Sequence, residues 1–447
     1  MSTEDITLRL DKLSTNSFHW KLLIVSGLGW MFDAMDVGII SFVVAALAKE
    51  WKLSSIDTGN LISIGLLGMF LGAALSGTIA DRYGRKLAFQ LTLLIYSVAT
   101  GLSALASGFL MLLGLRFIVG FGLGGELPVA STMISEFAPA KDRGRMLVLL
   151  ESFWAYGWVL AALVGYLVIP QAGGWRIAFL IGTIPALYVF ILRRAVPESP
   201  RFLISKGRHK EAAEVIRQAE GGSGAALAPW ATDGGKALEV AAAPTGFGEL
   251  WKGNLLRRTV MLWILWFGMV YSYYGIFTWL PTLLAKNFSL IRSFEFTLII
   301  TLAQIPGYFS AAYLVEKIGR KATLASYLFL CAISAYLYGQ SSSVEQLLIC
   351  GSLMSFFNLG AWGVIYTYTP ELYPTRVRGT GAGFSAAFGR IGGIIGPLVV
   401  GFLLAPSFGG TTSLVFSMFA VFLLIIAADV ALLGEETKGK TLEQIAQ

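Results

Sequence analysis

Six ionisable side chains stand inside stretches that are otherwise apolar: Asp33, Asp36, Arg116, Glu126, Glu151 and Arg390. Groups of this kind exchange protons and bind anions. A carboxylate releases its proton when an arginine pairs with it and regains the proton when the partner moves away. A guanidinium offers two parallel donors that match another carboxylate. A charge exposed to lipid is costly, so these six are expected to line a cavity or to pair with one another. A permanent ion pair that only fixes helix packing is the plainer alternative. Around Arg390 the chain reads Phe384-Ser385-Ala386-Ala387-Phe388-Gly389-Arg390-Ile391-Gly392-Gly393, and these small residues leave space for a ligand. Trp154, Trp158, Tyr273, Tyr274 and Trp362 fall in the middle or inner parts of predicted helices, where flat faces could stack on a ring.

Such groups need rigid elements to hold them. The chain has 447 residues, 55% hydrophobic and only 14% charged, and a mean hydropathy of +0.69. A soluble domain carries roughly a quarter of its residues charged. Apolar runs of about 20 residues, enough to cross about 30 Å of hydrocarbon, recur along the chain. They predict helices over 20–47, 58–80, 87–106, 109–133, 146–170, 174–194, 258–285, 294–315, 322–340, 344–368, 380–403 and 410–433. The expected fold class is all-α: a polytopic membrane protein with twelve transmembrane helices in two pseudo-symmetric six-helix bundles. Residues 1–194 form the first bundle and residues 258–447 the second bundle with its tail. Residues 195–257 form a cytoplasmic linker with a short amphipathic helix near Arg208 to Ala219 and a Gly- and Ala-rich stretch from Gly221 to Pro244. Met1 to Asn16 lacks the basic start and short apolar run of a removable signal. Both termini are expected in the cytoplasm. On that placement only Lys49, Lys52, Arg176, Lys286 and Arg292 face outward, and Arg116 and Arg390 lie within helices. Anionic inner-leaflet lipid is then partner enough for the net charge of +7, with no nucleic acid.

One pattern occurs twice. Asp81-Arg82-Tyr83-Gly84-Arg85-Lys86 returns 235 residues later as Glu316-Lys317-Ile318-Gly319-Arg320-Lys321. Glu136, Pro139, Arg143 and Gly144 return at the same offset as Glu371, Pro374, Arg378 and Gly379. Two homologous halves explain both matches. The charged loops are expected to gate the protein: Arg82, Arg85 and Lys86 can pair with Glu136, Glu198 or lipid phosphate, and Glu316, Arg320, Glu371 and Arg378 can repeat this in the second half. Gly84 and Gly319 allow a tight turn at the membrane surface. A solvated basic loop, worth little per exposed pair, is the alternative.

With the repeat and the spans in place, the chain resembles the major facilitator superfamily over almost its whole length. Gly77 to Lys86 looks like its signature after the second helix. Pro197-Glu198-Ser199-Pro200-Arg201, Glu371 to Arg378 and Glu436-Thr437-Lys438-Gly439 look like signatures of its sugar and organic-ion porter branches. Phe32 to Gly38, Gly124 to Thr132, Leu150 to Ala155, Ser272 to Gly275 and Phe384 to Pro397 resemble the bacterial niacin permease group. That resemblance implies proton-linked uptake of nicotinate or a similar small aromatic carboxylate across the bacterial inner membrane. Asp36 and Arg116 resemble the coupling pair of proton-linked sugar porters, with the carboxyls Glu126, Asp33 and Glu151 as further proton-site candidates, and Arg390 resembles the anion contact of organic-anion porters. Tyrosine hydroxyls or Gln304 could then address a ring nitrogen. Where sugar porters usually carry paired glutamines in the seventh helix, this chain reads Met269-Val270-Tyr271-Ser272-Tyr273-Tyr274-Gly275, so a flat substrate is favoured over a polyhydroxylated one.

Other classes fit less well. The run Gly120-Phe121-Gly122-Leu123-Gly124-Gly125 lies within an apolar stretch, where close helix packing explains it better than a phosphate cradle. No nucleotide-binding motif, metal spacing or cofactor is read from the chain, and an enzyme is not expected. Uptake or export of hydroxybenzoate-like acids is the alternative within transport, and a non-transporting membrane sensor the alternative outside it. A functional monomer is expected.

Overall fold

The computed structural model of the chain describes residues 13–139, 141–220, 247–374 and 377–438. The side chains of Asp81, Glu126 and Arg143 lie outside the described set, as do Gly221 to Pro244, Gly439 and the first twelve residues of the amino terminus. The described residues are helical and contain no strand. In the first half run α1 (Ser17–Glu50), α2 (Ser55–Tyr83), α3 (Arg85–Ser103), α4 (Phe109–Gly124), α5 (Glu126–Phe137), α6 (Arg143–Leu167), α7 (Gly174–Ile181) and α8 (Ile184–Ala195). Two short helices follow, α9 (Pro200–Ser205) and α10 (His209–Ala219). The second half contains α11 (Asn254–Phe277), α12 (Leu280–Leu284), α13 (Leu290–Leu302), α14 (Gln304–Ile318), α15 (Arg320–Gly339), α16 (Val344–Glu371), α17 (Arg378–Leu403) and α18 (Thr412–Leu433).

Among the described residues, eleven helical stretches are long and apolar enough to cross a membrane, and the shorter apolar helix Phe109–Gly124, continued by α5, makes a twelfth. The duplication extends to helix starts: Ser55 and Leu290, Arg85 and Arg320, Phe109 and Val344, and Arg143 and Arg378 each lie 235 residues apart. Polar side chains cap some of the helix starts. Asn16 accepts the Phe18 N–H at 3.0 Å, and Ser54 and Asp57 form a reciprocal capping box.

The span expected over 109–133 is not one helix. It turns at Gly125, and the glycine run seats α4 on α2: a Cβ on Gly120 or Gly124 would strike the backbone of Gly65 or Met69. Bare backbone surfaces allow that approach, so the run serves packing. The span expected over 294–315 is likewise divided at Ala303, between α13 and α14.

Within each half the first span lies on the fifth, α1 on α6 and α11 on α17. Between halves, α2 packs on α17 and α6 on α13, as a pseudo-two-fold relation requires. The α2–α17 seam lies at the ends remote from the Gly84 and Gly319 loops. There a Cβ on Gly59 would meet the Pro397 carbonyl at 2.9 Å, and one on Gly401 would meet the Ser55 carbonyl at 2.7 Å. Phe42 and Phe294 add an edge contact across the halves at 5.2 Å.

The face bearing the duplicated basic loops also carries α9 and α10. The latter buries Ala212, Ala213, Val215, Ile216 and Ala219, and the carbonyl of Ala219 accepts from the Asn16 amide at 2.7 Å. The amphipathic helix expected near Arg208 to Ala219 is therefore present and docked against the start of α1. On its solvent side, hydrogen bonds from Arg208 hold the Glu211 carboxyl below its usual range.

Candidate functional site

A cavity of about 370 Å³ lies between the halves, within the roughly 300–1,000 Å³ typical of small-molecule sites. α1 supplies Trp30, α2 Met69, and α6 Glu151 and Trp154. α11 supplies Trp266, Val270, Tyr273 and Tyr274, α14 supplies Tyr308, and α16 supplies Trp362 and Tyr366. α17 brings Ala382, Gly383, Ala386 and Arg390. The lining continues to Thr369, Pro370 and Ala382, towards the ends of α16 and α17 that carry Glu371 and Arg378, so the cavity extends towards the basic face. The glycine seam closes the opposite end.

The aromatic walls hold one another. Trp154 donates its indole N–H to the Tyr273 hydroxyl at 2.7 Å, and Trp30 packs against Trp154 at a tilt of 38° with ring centres 4.7 Å apart. Trp266 donates to the Thr369 hydroxyl at 3.0 Å while its ring meets Trp362 and Tyr366 edge-on. Rings locked in this way form flat, pre-set surfaces rather than movable flaps.

Two charged side chains enter this apolar space. Arg390 has no hydrogen bond or ion pair with the protein among the described residues. Glu151 is buried, and Trp30 lies beside its carboxyl. Glu151 and Arg390 form no ion pair with each other.

Of the residues singled out for substrate contact, Arg390, Tyr273, Tyr274, Trp154 and Trp362 come together here. Trp158 and Gln304 do not. Trp158 is fully buried behind Tyr273, and Gln304 is fully buried at the start of α14, both outside the cavity lining. The small residues around Arg390 divide by face. Ala382, Gly383 and Ala386 give the cavity its room, whereas Gly389, Gly392 and Gly393 seat α17 on Trp266, Phe267 and Val270 of α11. Trp30, Trp266, Tyr308 and Tyr366 also line the cavity. Nothing in their local sequence separates them from the many core aromatics, because only tertiary packing decides which face of a helix meets the central space.

A second constellation lies behind Tyr274. Arg116 Nη1 is 3.3 Å from Asp36 Oδ2, and both side chains are buried, at 3% and 1% exposure. Thr100 donates to Asp36 Oδ1 at 2.7 Å and accepts from Arg116 Nη2 at 3.3 Å, while Ser103 accepts from the same nitrogen at 3.2 Å. The guanidinium also lies 4.8 Å from the Phe179 ring centre. A void of about 30 Å³, room for one water, touches Asp36 and Arg116 on one side and Tyr274 and Met69 on the other. Asp33 is buried on the same helix as Asp36. A further buried carboxyl, Asp429, lies near the end of α18, and its charge within that strongly apolar span is the signal that could have marked it.

The basic loops form two matching brackets. Arg85 lies 3.6 Å from Glu136, and Arg320 lies 3.3 Å from both Glu316 and Glu371. Glu198 accepts the backbone N–H of Arg85 at 2.9 Å, and Glu436 accepts that of Arg320 at 2.9 Å. These carboxylates meet the N-termini of α3 and α15, where helix dipoles and free N–H groups favour negative charge. Gly84 and Gly319 take φ values of 106° and 100°, and a Cβ at either would collide with Glu198 or Glu436. Thr437 donates to Glu371 at 2.6 Å. Arg82 lies over the Tyr83 ring, and Arg378 donates to the Tyr373 carbonyl at 3.2 Å. Every described bond at these brackets stays on one half and its adjoining tail.

Comparison with known proteins covers the whole arrangement. The family model described as "Sugar (and other) transporter" matches residues 17–447. The niacin transporter NiaP of Acinetobacter baylyi is 53% identical over 442 residues, spanning 99% of each chain. A Bacillus subtilis protein named as a candidate niacin/nicotinamide transporter is 48% identical, covering 95% of this chain and 98% of the other. Among solved structures, the E. coli xylose transporter XylE in a partially occluded inward open conformation superposes with a TM-score of 0.77 at 20% identity, over 95% of this chain and 100% of that one. At that identity the likeness is one of fold.

Proposed function

The chain belongs to the Sugar (and other) transporter family, and from that premise we propose that it takes up nicotinate, or a similar small aromatic carboxylate, together with protons by alternating access. The observation that carries the reading is the guanidinium of Arg390, which has no hydrogen bond or ion pair among the described residues, inside an aromatic-walled cavity. A carboxylate docks on its fork, and the ring lies between Tyr273, Tyr274, Trp154 and Trp362. The similarity to the A. baylyi niacin transporter supports the same cargo.

Asp36 and Arg116 form the coupling pair in this scheme, with Asp33, Glu126 and Glu151 as other carboxyls available to the proton path. When Asp36 takes up a proton, its pairing with Arg116 weakens and the helices that carry them can shift. One proton entering with one monovalent anion makes the cycle electroneutral. The gating residues of this scheme are those of the duplicated loops, Asp81, Arg82, Arg85, Glu136, Arg143 and Glu198, and Glu316, Arg320, Glu371 and Arg378; the brackets around Arg85 and Arg320 keep the inner ends of each half rigid while the halves rock. With the basic face in the cytoplasm, as positive loop charge favours, the cavity described above faces inward and both termini are cytoplasmic. The protein works in this scheme as a monomer in the bacterial inner membrane, its basic loops against anionic lipid.

The test is accumulation of labelled nicotinate by the purified protein in proteoliposomes under an inward proton gradient. Uptake that collapses when the gradient is dissipated is expected. Absence of flux across a panel of aromatic acids would remove the assignment, and flux of hydroxybenzoates without nicotinate would reassign the cargo.

A further inference from the structure

In the function proposed above Arg390 takes one end of the substrate, and the cavity holds a second group suited to the other end. Glu151 is the one carboxyl among the described residues that line it. Glu151 and Arg390 stand on the fifth span of opposite halves, α6 and α17. At the 235-residue offset Arg390 matches Ala155, four residues beyond Glu151. The two groups thus differ in depth by about one helical turn, roughly 6 Å, with Arg390 nearer the closed end. Tyr274 and Tyr366 each lie within electrostatic reach of both, and Tyr308 within reach of Glu151. Gln304, the other candidate for a ring nitrogen, is sequestered outside the cavity.

We propose that Glu151 recognises the ring nitrogen of the substrate and makes the cavity selective for pyridine carboxylates over benzene carboxylates of the same shape. With the acid group on Arg390, the Glu151 carboxyl donates one O–H···N hydrogen bond to the pyridine lone pair. The proton begins on Glu151 and stays in that bond, and no covalent bond is made or broken. A benzene ring offers no acceptor, so it leaves the carboxyl without its partner between apolar walls. Sites built around a hydrogen bond reject the analogue that lacks it far more strongly than apolar pockets reject a change of size. This assignment rests on the reading that the cargo is a nicotinate-like acid.

The experiment is competition against labelled nicotinate on the purified full-length protein in nanodiscs, with nicotinate, benzoate and N-methylnicotinate as competitors. N-methylnicotinate has no lone pair to accept with. Wild type should prefer nicotinate to both others by about tenfold or more. Glu151→Leu should bring nicotinate and benzoate to within about twofold of each other, read with labelled benzoate as the common ligand. Glu151→Gln keeps an N–H donor and should retain most of the preference. Equal binding of nicotinate and benzoate by wild type, full preference in Glu151→Leu, or strong binding of N-methylnicotinate each overturns the assignment. A Glu151→Leu variant that binds neither acid, together with a Glu151→Gln variant that has lost the preference, overturns it too. If wild type binds no aromatic acid at all, the cargo reading fails first and the role of Glu151 falls with it.

Discussion

Trp154 and Tyr273 join the two halves through a hydrogen bond of 2.7 Å beside the cavity. The bond holds together two walls that belong to different halves. Its net worth is about 1 kcal/mol, or roughly fivefold in an equilibrium. Trp154→Phe and Tyr273→Phe should each weaken nicotinate binding by about that factor in calorimetric titration, and the double variant should be little worse than the weaker single one. Full additivity would show that the two rings act separately.

Arg390→Lys retains the positive charge but loses the planar fork. Nicotinate affinity should fall about tenfold or more, with the protein still monodisperse in detergent. Equilibrium binding of labelled nicotinate decides the matter, and an unchanged dissociation constant would place the carboxylate elsewhere.

Asp36→Asn keeps a hydrogen-bond acceptor for Thr100 and Arg116 but removes the titrating group. Proton-driven accumulation should drop to the equilibrium level, whereas exchange of internal for external nicotinate should continue. Counterflow measured beside uptake separates the two. Undiminished accumulation by Asp36→Asn would exclude this pair from coupling.

Gly84→Ala and Gly319→Ala place a side chain where φ exceeds 100° or nearly so and where a carboxylate already sits. Each should cost about 1–3 kcal/mol and lower the apparent melting temperature. Because the brackets are equivalent, the two losses should be similar. Glu198→Gln and Glu436→Gln should weaken the same helix starts to a smaller degree, and unaltered melting in all four variants would show that the brackets contribute no stability.

The outline of the fold was legible because lipid imposes long apolar runs and because duplication repeats loop chemistry at a fixed offset. Gly84 and Gly319, Arg85 and Arg320, and Glu136 and Glu371 follow that offset into the structure. Glu198 and Glu436 do equivalent work 238 residues apart, so a fixed-offset search does not pair them. The breaks at Gly125 and Ala303 were hidden because hydropathy averages over a helix and does not register a local turn. Rare charges such as Arg390 and Glu151 stand out in apolar sequence, whereas Trp30 or Tyr308 becomes distinctive only when several helices turn the same way. Gln304 shows the converse: a polar residue at a plausible depth can be fully buried outside the cavity.

The seam at Gly59, Pro397, Ser55 and Gly401 is made largely of bare backbone in close contact. Contacts of that kind carry no net charge and are indifferent to dissolved electrolyte, so their strength follows contact area and the lateral squeeze of the surrounding bilayer. The opposite ends of the helices are bracketed by charged groups that mobile ions screen. The two ends of the molecule therefore answer to different physical media: bilayer thickness and tension act on the seam between the halves, and ionic strength acts on the brackets within each half.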